Sequence, residues 1–159
     1  MSSRIEAQII SIGSPRRLLF MIRKGVSAVL LKQKAGAIQA AFAGLDEADR
    51  FHVMSSLSKI RNGLAREVLT GILRSDPSPL VRHEAAFALG WVGDQTCVRV
   101  LKSALAHDQS FLVRHEAAMA LAELGATSAK RALQRGLNDP SREVVVSCQV
   151  ALARLVGRS

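Results

Sequence analysis

The stretch Val81-Arg82-His83-Glu84-Ala85-Ala86-Phe87-Ala88-Leu89-Gly90 returns 32 residues later as Val113-Arg114-His115-Glu116-Ala117-Ala118-Met119-Ala120-Leu121-Ala122. A period of this length belongs to stacked helical repeats, in which each unit buries its apolar side only against its neighbours. Most other folds for a chain of this size are excluded by that one feature.

The period extends beyond the copied words. Asp76, Asp108 and Asp139 follow it, as do Leu89, Leu121 and Leu152; one step back, Arg82 falls on Arg50 and Leu89 on Leu57. About four units result: 46–75, 76–107, 108–138 and a closing helix at 139–157. Asp76-Pro77 and Asp139-Pro140 read as a helix N-cap followed by Pro at the first helical position. Gly93-Asp94 and Gly125 end the first helices. Thr96–Ala106 and Thr127–Leu137 are predicted as second helices. Arg50, Arg82 and Arg114 form a ladder expected to pair with Asp76, Asp108 and neighbouring carbonyls. Aromatic residues make up 4% of the chain and Tyr is absent, whereas hydrophobic residues make up 48%. The core must therefore be packed from Ala, Leu and Val, which suits closely stacked helices. Cys97 and Cys148 are read as structural thiols in a reducing, cytoplasmic setting; Cys148 falls on the repeat position of Ala85 and Ala117 and is expected to be a small buried core residue.

The words Val-Arg-x-x-Ala-Ala-x-Ala-Leu at 81–89 and 113–121 resemble the short HEAT-like repeats of the bilin-lyase type. The resemblance covers residues 46 to the end and implies an all-α, α-α superhelix of the armadillo-like kind. Such a fold serves many functions, scaffolds and protein binding among them. A bilin-lyase-like subunit that attends a pigment or a partner protein is one role the resemblance implies.

Residues 1–45 differ in character. They hold seven basic residues and one acid, or +6 of the formal +9 charge. Ser14-Pro15 reads as a helix start. Arg16, Arg17, Arg23 and Lys24 form a basic patch on this helix, with Leu18, Ile22, Val26 and Val29 opposite. A basic amphipathic helix can meet an anionic surface, nucleic acid or an acidic partner; it also suits a terminal cap with its charges in water, and the cap reading is preferred. No aromatic ladder or recognition-helix pattern supports nucleic acid beyond charge. The apolar run Leu18–Leu31 contains Arg23 and Lys24 and is too short for a membrane span of about 20 residues. The segment is read as retained, not as a targeting sequence.

Chemistry concentrates in the copied His-Glu pair. At about 100° per residue, Val81, Ala85, Ala88, Leu89 and Val92 form a core stripe, His83 lies about 200° from Val81, and Glu84 sits at the flank. The same phase places His115 and Glu116 on the next helix, about 8–10 Å away. Two imidazoles and a carboxylate can bind iron with coordination positions left open; zinc and manganese accept the same donors. The pairs resemble those of deoxyhypusine hydroxylase, a family of di-iron oxygenases acting on a lysine-derived side chain of a translation factor. By that resemblance His83, Glu84, His115 and Glu116 are metal ligands. The family pattern has four such pairs and this chain has two, with Val146-Ser147 where a third would fall. A homodimer would restore four.

The competing reading is a module that binds another protein on its concave surface, with Phe87, Trp91 and Met119 as contact residues. Other enzyme chemistry finds no motif: there is no Gly-rich phosphate loop, no His-Glu-x-x-His and no nucleophile elbow. The interaction module is the preferred function. The metal-dependent oxygenase-like homodimer, with iron as its cofactor, is the alternative.

Overall fold

The computed structural model describes residues 42–59, 63–92 and 94–157. The predicted cap and its basic patch at Arg16, Arg17, Arg23 and Lys24 lie outside the described residues. Within them the chain is built of seven α-helices: α1 Glu47–Leu57, α2 Gly63–Ser75, α3 Pro79–Val92, α4 Val98–His107, α5 Phe111–Glu123, α6 Lys130–Gly136 and α7 Arg142–Val156. The odd-numbered helices form one row, with α1 against α3, α3 against α5 and α5 against α7. The even-numbered helices form a second row, and each packs on the first-row helix that follows it: α2 on α3, α4 on α5, α6 on α7. None of the helices described is long and apolar enough to cross a membrane.

The core lies between the rows and repeats with the sequence. Val81, Val113 and Val144 are buried, as are Ala85, Ala117 and Cys148, and Ala88, Ala120 and Ala151. Small residues at these positions let the first-row helices approach closely. At Gly90 even a methyl group would sit 3.0 Å from the Cα and Cβ of Ala120. Cys97 and Cys148 are buried free thiols, Cys148 at the core position expected for it. Burial pushes the Cys148 thiol up to about 11, with Asp139 adding to the effect.

Helix starts differ from the sequence-based reading by two residues. Ser110 and Ser141, not the aspartates, are the N-cap residues of α5 and α7, with extended backbone angles. Ser78 precedes Pro79 at the start of α3, and its carbonyl accepts the amide of Arg82. The aspartates act earlier. Asp76 Oδ1 accepts the Ser78 amide, Asp108 Oδ1 the Ser110 amide and Asp139 Oδ1 the Ser141 amide. Each makes an Asx turn that aims the chain into the helix. The arginine ladder then closes on these turns from the preceding repeat. Arg82 holds Asp108 through two bonds of 2.8 and 2.9 Å, and Arg114 holds Asp139 through two of 2.7 and 2.9 Å. Arg50 Nε lies 3.1 Å from Asp76 Oδ2, but without the alignment of a hydrogen bond. Each arginine also donates Nη1 to its own repeat's entry loop: Arg50 to the Leu45 carbonyl, Arg82 to Asp76 and Pro77, Arg114 to Asp108 and Gln109.

The end of α5 follows the glycine, whereas Gly93 lies outside the described residues. Gly125 has φ 60°, and the Ala126 and Gly125 amides return to the carbonyls of Leu121 and Ala122. This is a Schellman closure, for which glycine is the residue of choice. The second helices begin with single 3₁₀ turns, Gln95–Cys97 and Thr127–Ala129, where continuous α-helix was predicted from Thr96 and Thr127. Asp94 sets the first of these turns by accepting the Thr96 amide.

Candidate functional site

The first-row helices place equivalent residues of successive repeats side by side. His83 and His115 occupy one column, which Val146 continues on α7; Glu84, Glu116 and Ser147 occupy the next. Both histidines lie off the core stripe, as the periodicity predicts. Neither stands free in water, because the following helix of the row packs against each: His83 is half-buried, with 24% of its side chain exposed.

The histidine of each repeat reaches the Glu-column residue of the next repeat. His83 Nε2 lies 3.4 Å from Glu116 Oε2 on α5, and Nδ1 lies 3.4 Å from Glu84 Oε1 on its own helix. These are ion-pair distances, longer than a well-formed hydrogen bond. The buried Nδ1 has no aligned partner. Contact with Glu116 raises the pKa of His83 above its ordinary value; burial opposes the shift and Glu84 adds to it. The imidazolium form is therefore favoured between the two carboxylates.

His115 meets a different neighbour. Its Nδ1 lies 2.5 Å from Ser147 Oγ on α7, and that hydroxyl donates to the Glu143 carbonyl at 2.7 Å. In the sequence Ser147 stands only where a third glutamate would fall. Continuing the column onto α7 was the signal available for its role as the partner of His115.

The four residues read as metal ligands are thus brought together unequally. His83, Glu84 and Glu116 touch, while His115 is turned to Ser147. The donor types suit iron, zinc or manganese, and the buried Nδ1 of His83, which lacks an aligned hydrogen bond, would serve an ion once the imidazolium had lost a proton. Their arrangement is less suited: the two carboxylates address opposite nitrogens of one ring and do not face a common point. Among the described residues no group of three or more His, Cys, Asp or Glu is placed to hold a metal ion.

Beside the motifs runs a groove of about 550 Å³ between α3 and α5. Phe87, Trp91 and Met119 form its apolar wall, and His115, Glu116 and Glu123 its polar one. Phe87 and Trp91, one helical turn apart, meet edge-on with ring centroids 6.3 Å apart at 67°. Trp91 is 60% exposed and Phe87 42%. Phe51 and Phe111 are exposed to a similar degree elsewhere, at 39% and 42%, but only Phe87 and Trp91 among the described aromatics line this groove. Gly90 lies at the floor, where the close approach of Ala120 leaves no room for a side chain. At one end Glu123 pairs with Arg154 of α7. The Phe87–Met119 column continues to the exposed Val150, so apolar surface runs across three first-row helices. The three residues predicted to contact a partner, Phe87, Trp91 and Met119, thus lie in one groove.

A family model described as HEAT repeats matches residues 66–153. The chain belongs to the HEAT-repeat family. A search of curated protein sequences finds no match. Among solved structures, this HEAT-repeat chain is similar to human deoxyhypusine hydroxylase in complex with glycerol, at 33% identity and a TM-score of 0.65. The match covers 77% of this chain and 43% of that one, so the chain spans less than half the length of the structure it resembles. Both resemblances read from the sequence, to HEAT-like repeats and to deoxyhypusine hydroxylase, are supported.

Proposed function

We propose that the chain is a HEAT-repeat interaction module whose partner seats on the α3–α5–α7 face. The observation that carries this reading is the groove in which Phe87 and Trp91 stand exposed beside Met119. Exposed aromatics around a concavity are the usual anchors of a protein interface. A photo-reactive phenylalanine placed at Phe87 tests it. Cross-linking in the cells that produce the protein should yield a discrete product, abolished by Trp91→Ala. The same probe at Arg131, exposed on the second row, should yield none. Identical products from both positions would remove the reading.

A second reading is favoured by the buried Nδ1 of His83, which lacks an aligned hydrogen bond, and by the likeness to a deoxyhypusine hydroxylase. In it, His83, Glu84, His115 and Glu116 contribute to an iron site, and a second copy of the chain supplies the remaining ligands. Iron, if bound, would supply oxygen chemistry; this chain's residues would hold it. Protein purified without a His tag and reconstituted with ferrous iron should contain stoichiometric metal, lost in the His83→Ala/His115→Ala variant. Metal-free protein after reconstitution would exclude it.

A further inference from the structure

The two copies of the His-Glu dipeptide meet different neighbours, and Ser147 is what sets the second apart. A serine hydroxyl carries a single hydrogen. Ser147 gives that hydrogen to the Glu143 carbonyl at 2.7 Å. Its oxygen is left to accept, and the atom 2.5 Å away is His115 Nδ1. Nδ1 must therefore carry the ring's hydrogen, and in the neutral imidazole Nε2 carries the lone pair. Ser147 is 4% exposed, so bulk water has little access to take over either bond. His83, by contrast, faces a carboxylate on each nitrogen, both at 3.4 Å.

We infer that Ser147 is a positioning residue, which locks His115, one of the residues lining the α3–α5 groove, in the Nδ1–H tautomer and so leaves its Nε2 as an acceptor. Glu116 and Glu123 on the same wall are acceptors as well. The groove's polar side therefore offers acceptors to its occupant, while Phe87, Trp91 and Met119 take the apolar remainder. It selects an occupant that brings an N–H or O–H donor to His115. The selection of an occupant rests on the groove being the binding surface; the tautomer does not, and is measured on the protein alone.

Nitrogen-15 spectra of the histidine side chains test the assignment, recorded at about pH 8.5, where an unperturbed imidazole is neutral. His115 is expected to show a protonated Nδ1 and a lone-pair Nε2. In Ser147→Ala, which keeps a small residue on the buried side of α7, the ring should move toward the Nε2–H form that a free imidazole favours in water. Ser147→Thr, which keeps the hydroxyl, should restore the wild-type pattern. A wild-type His115 protonated at Nε2 would overturn the inference, as would an unchanged pattern in a folded Ser147→Ala protein. If Ser147→Ala fails to fold, the wild-type and threonine spectra still decide it.

Discussion

Replacing Arg114 with methionine removes one rung of the ladder while keeping most of the side chain's apolar stem. Four hydrogen bonds go: two to Asp139 at 2.7 and 2.9 Å, and two to the carbonyls of Asp108 and Gln109 at 2.9 and 3.1 Å. The partners are nearly buried, with side-chain exposures of 13% for Arg114 and 9% for Asp139. Removing one member of a buried pair costs about 3–5 kcal/mol, because the other charge is left uncompensated. Asp139 keeps the Ser141 amide and lies near enough to the surface to regain some hydration. The expected loss is therefore about 2–4 kcal/mol. Urea denaturation at pH 7, followed by circular dichroism, measures it. Adding Asp139→Asn should recover part of the loss by removing the stranded charge. Arg50→Met should cost less, since its contact with Asp76 lacks hydrogen-bond alignment. The effect also has a pH signature. The Arg114 guanidinium holds the Asp139 carboxyl below its usual range, against burial. This stabilisation is present above the unfolded carboxyl value of about 3.9, and fades as pH falls through the lower folded one. The gap between wild type and variant should narrow in acid. A loss below about 1 kcal/mol at pH 7 would refute the reasoning and reduce the ladder to surface ion pairs.

Three further outcomes are expected. Gly136→Ala should destabilise by about 1–3 kcal/mol through overpacking, because the new methyl would collide with Cys148 Sγ; calorimetry should show Cys148→Ala relieving most of this. Since Glu116 raises the His83 pKa, the pair stabilises the fold fully below the unfolded imidazole value of about 6.5 and loses that stabilisation as pH rises through the folded value. Urea titrations should therefore separate wild type from Glu116→Gln more at pH about 5.5 than at about 9; equal gaps would argue against an imidazolium there. With its thiol pushed up to about 11, Cys148 should resist an aromatic disulfide reagent in native protein at pH about 8 and react on unfolding.

The fold was legible because the repeat writes it many times over. Arg50, Arg82 and Arg114 were recognisable as a ladder, and Asp76 and Asp108 as part of its other half, from spacing alone; Asp139 kept the same spacing but was read as a helix cap. Less legible was which rung joins which aspartate, since each arginine crosses to the following repeat and the distance is set by how the helices stack. The misplaced N-caps have the same origin. Asp-Pro imitates a helix start locally, whereas these aspartates are drawn into turns by arginines 25 or 26 residues away. At the site, the common face of His83 and His115 followed from helical phase. Their different neighbours did not, because the pairing of His83 with Glu116 and of His115 with Ser147 lies between helices, where one-helix periodicity has no say. Phe87, Trp91 and Met119 were easier to place, being large apolar side chains on a face the core stripe leaves outside.

The arginine ladder has a direction. Arg82 and Arg114 fasten onto the turn that opens the next unit, and the equivalent position on α7 is Val145. A pull applied to the C-terminal end would load the Arg114–Asp139 latch first and reach Arg82–Asp108 only after α7 had peeled away. Under tension the described array should thus lengthen in ordered steps, like a strap unbuckled from one end.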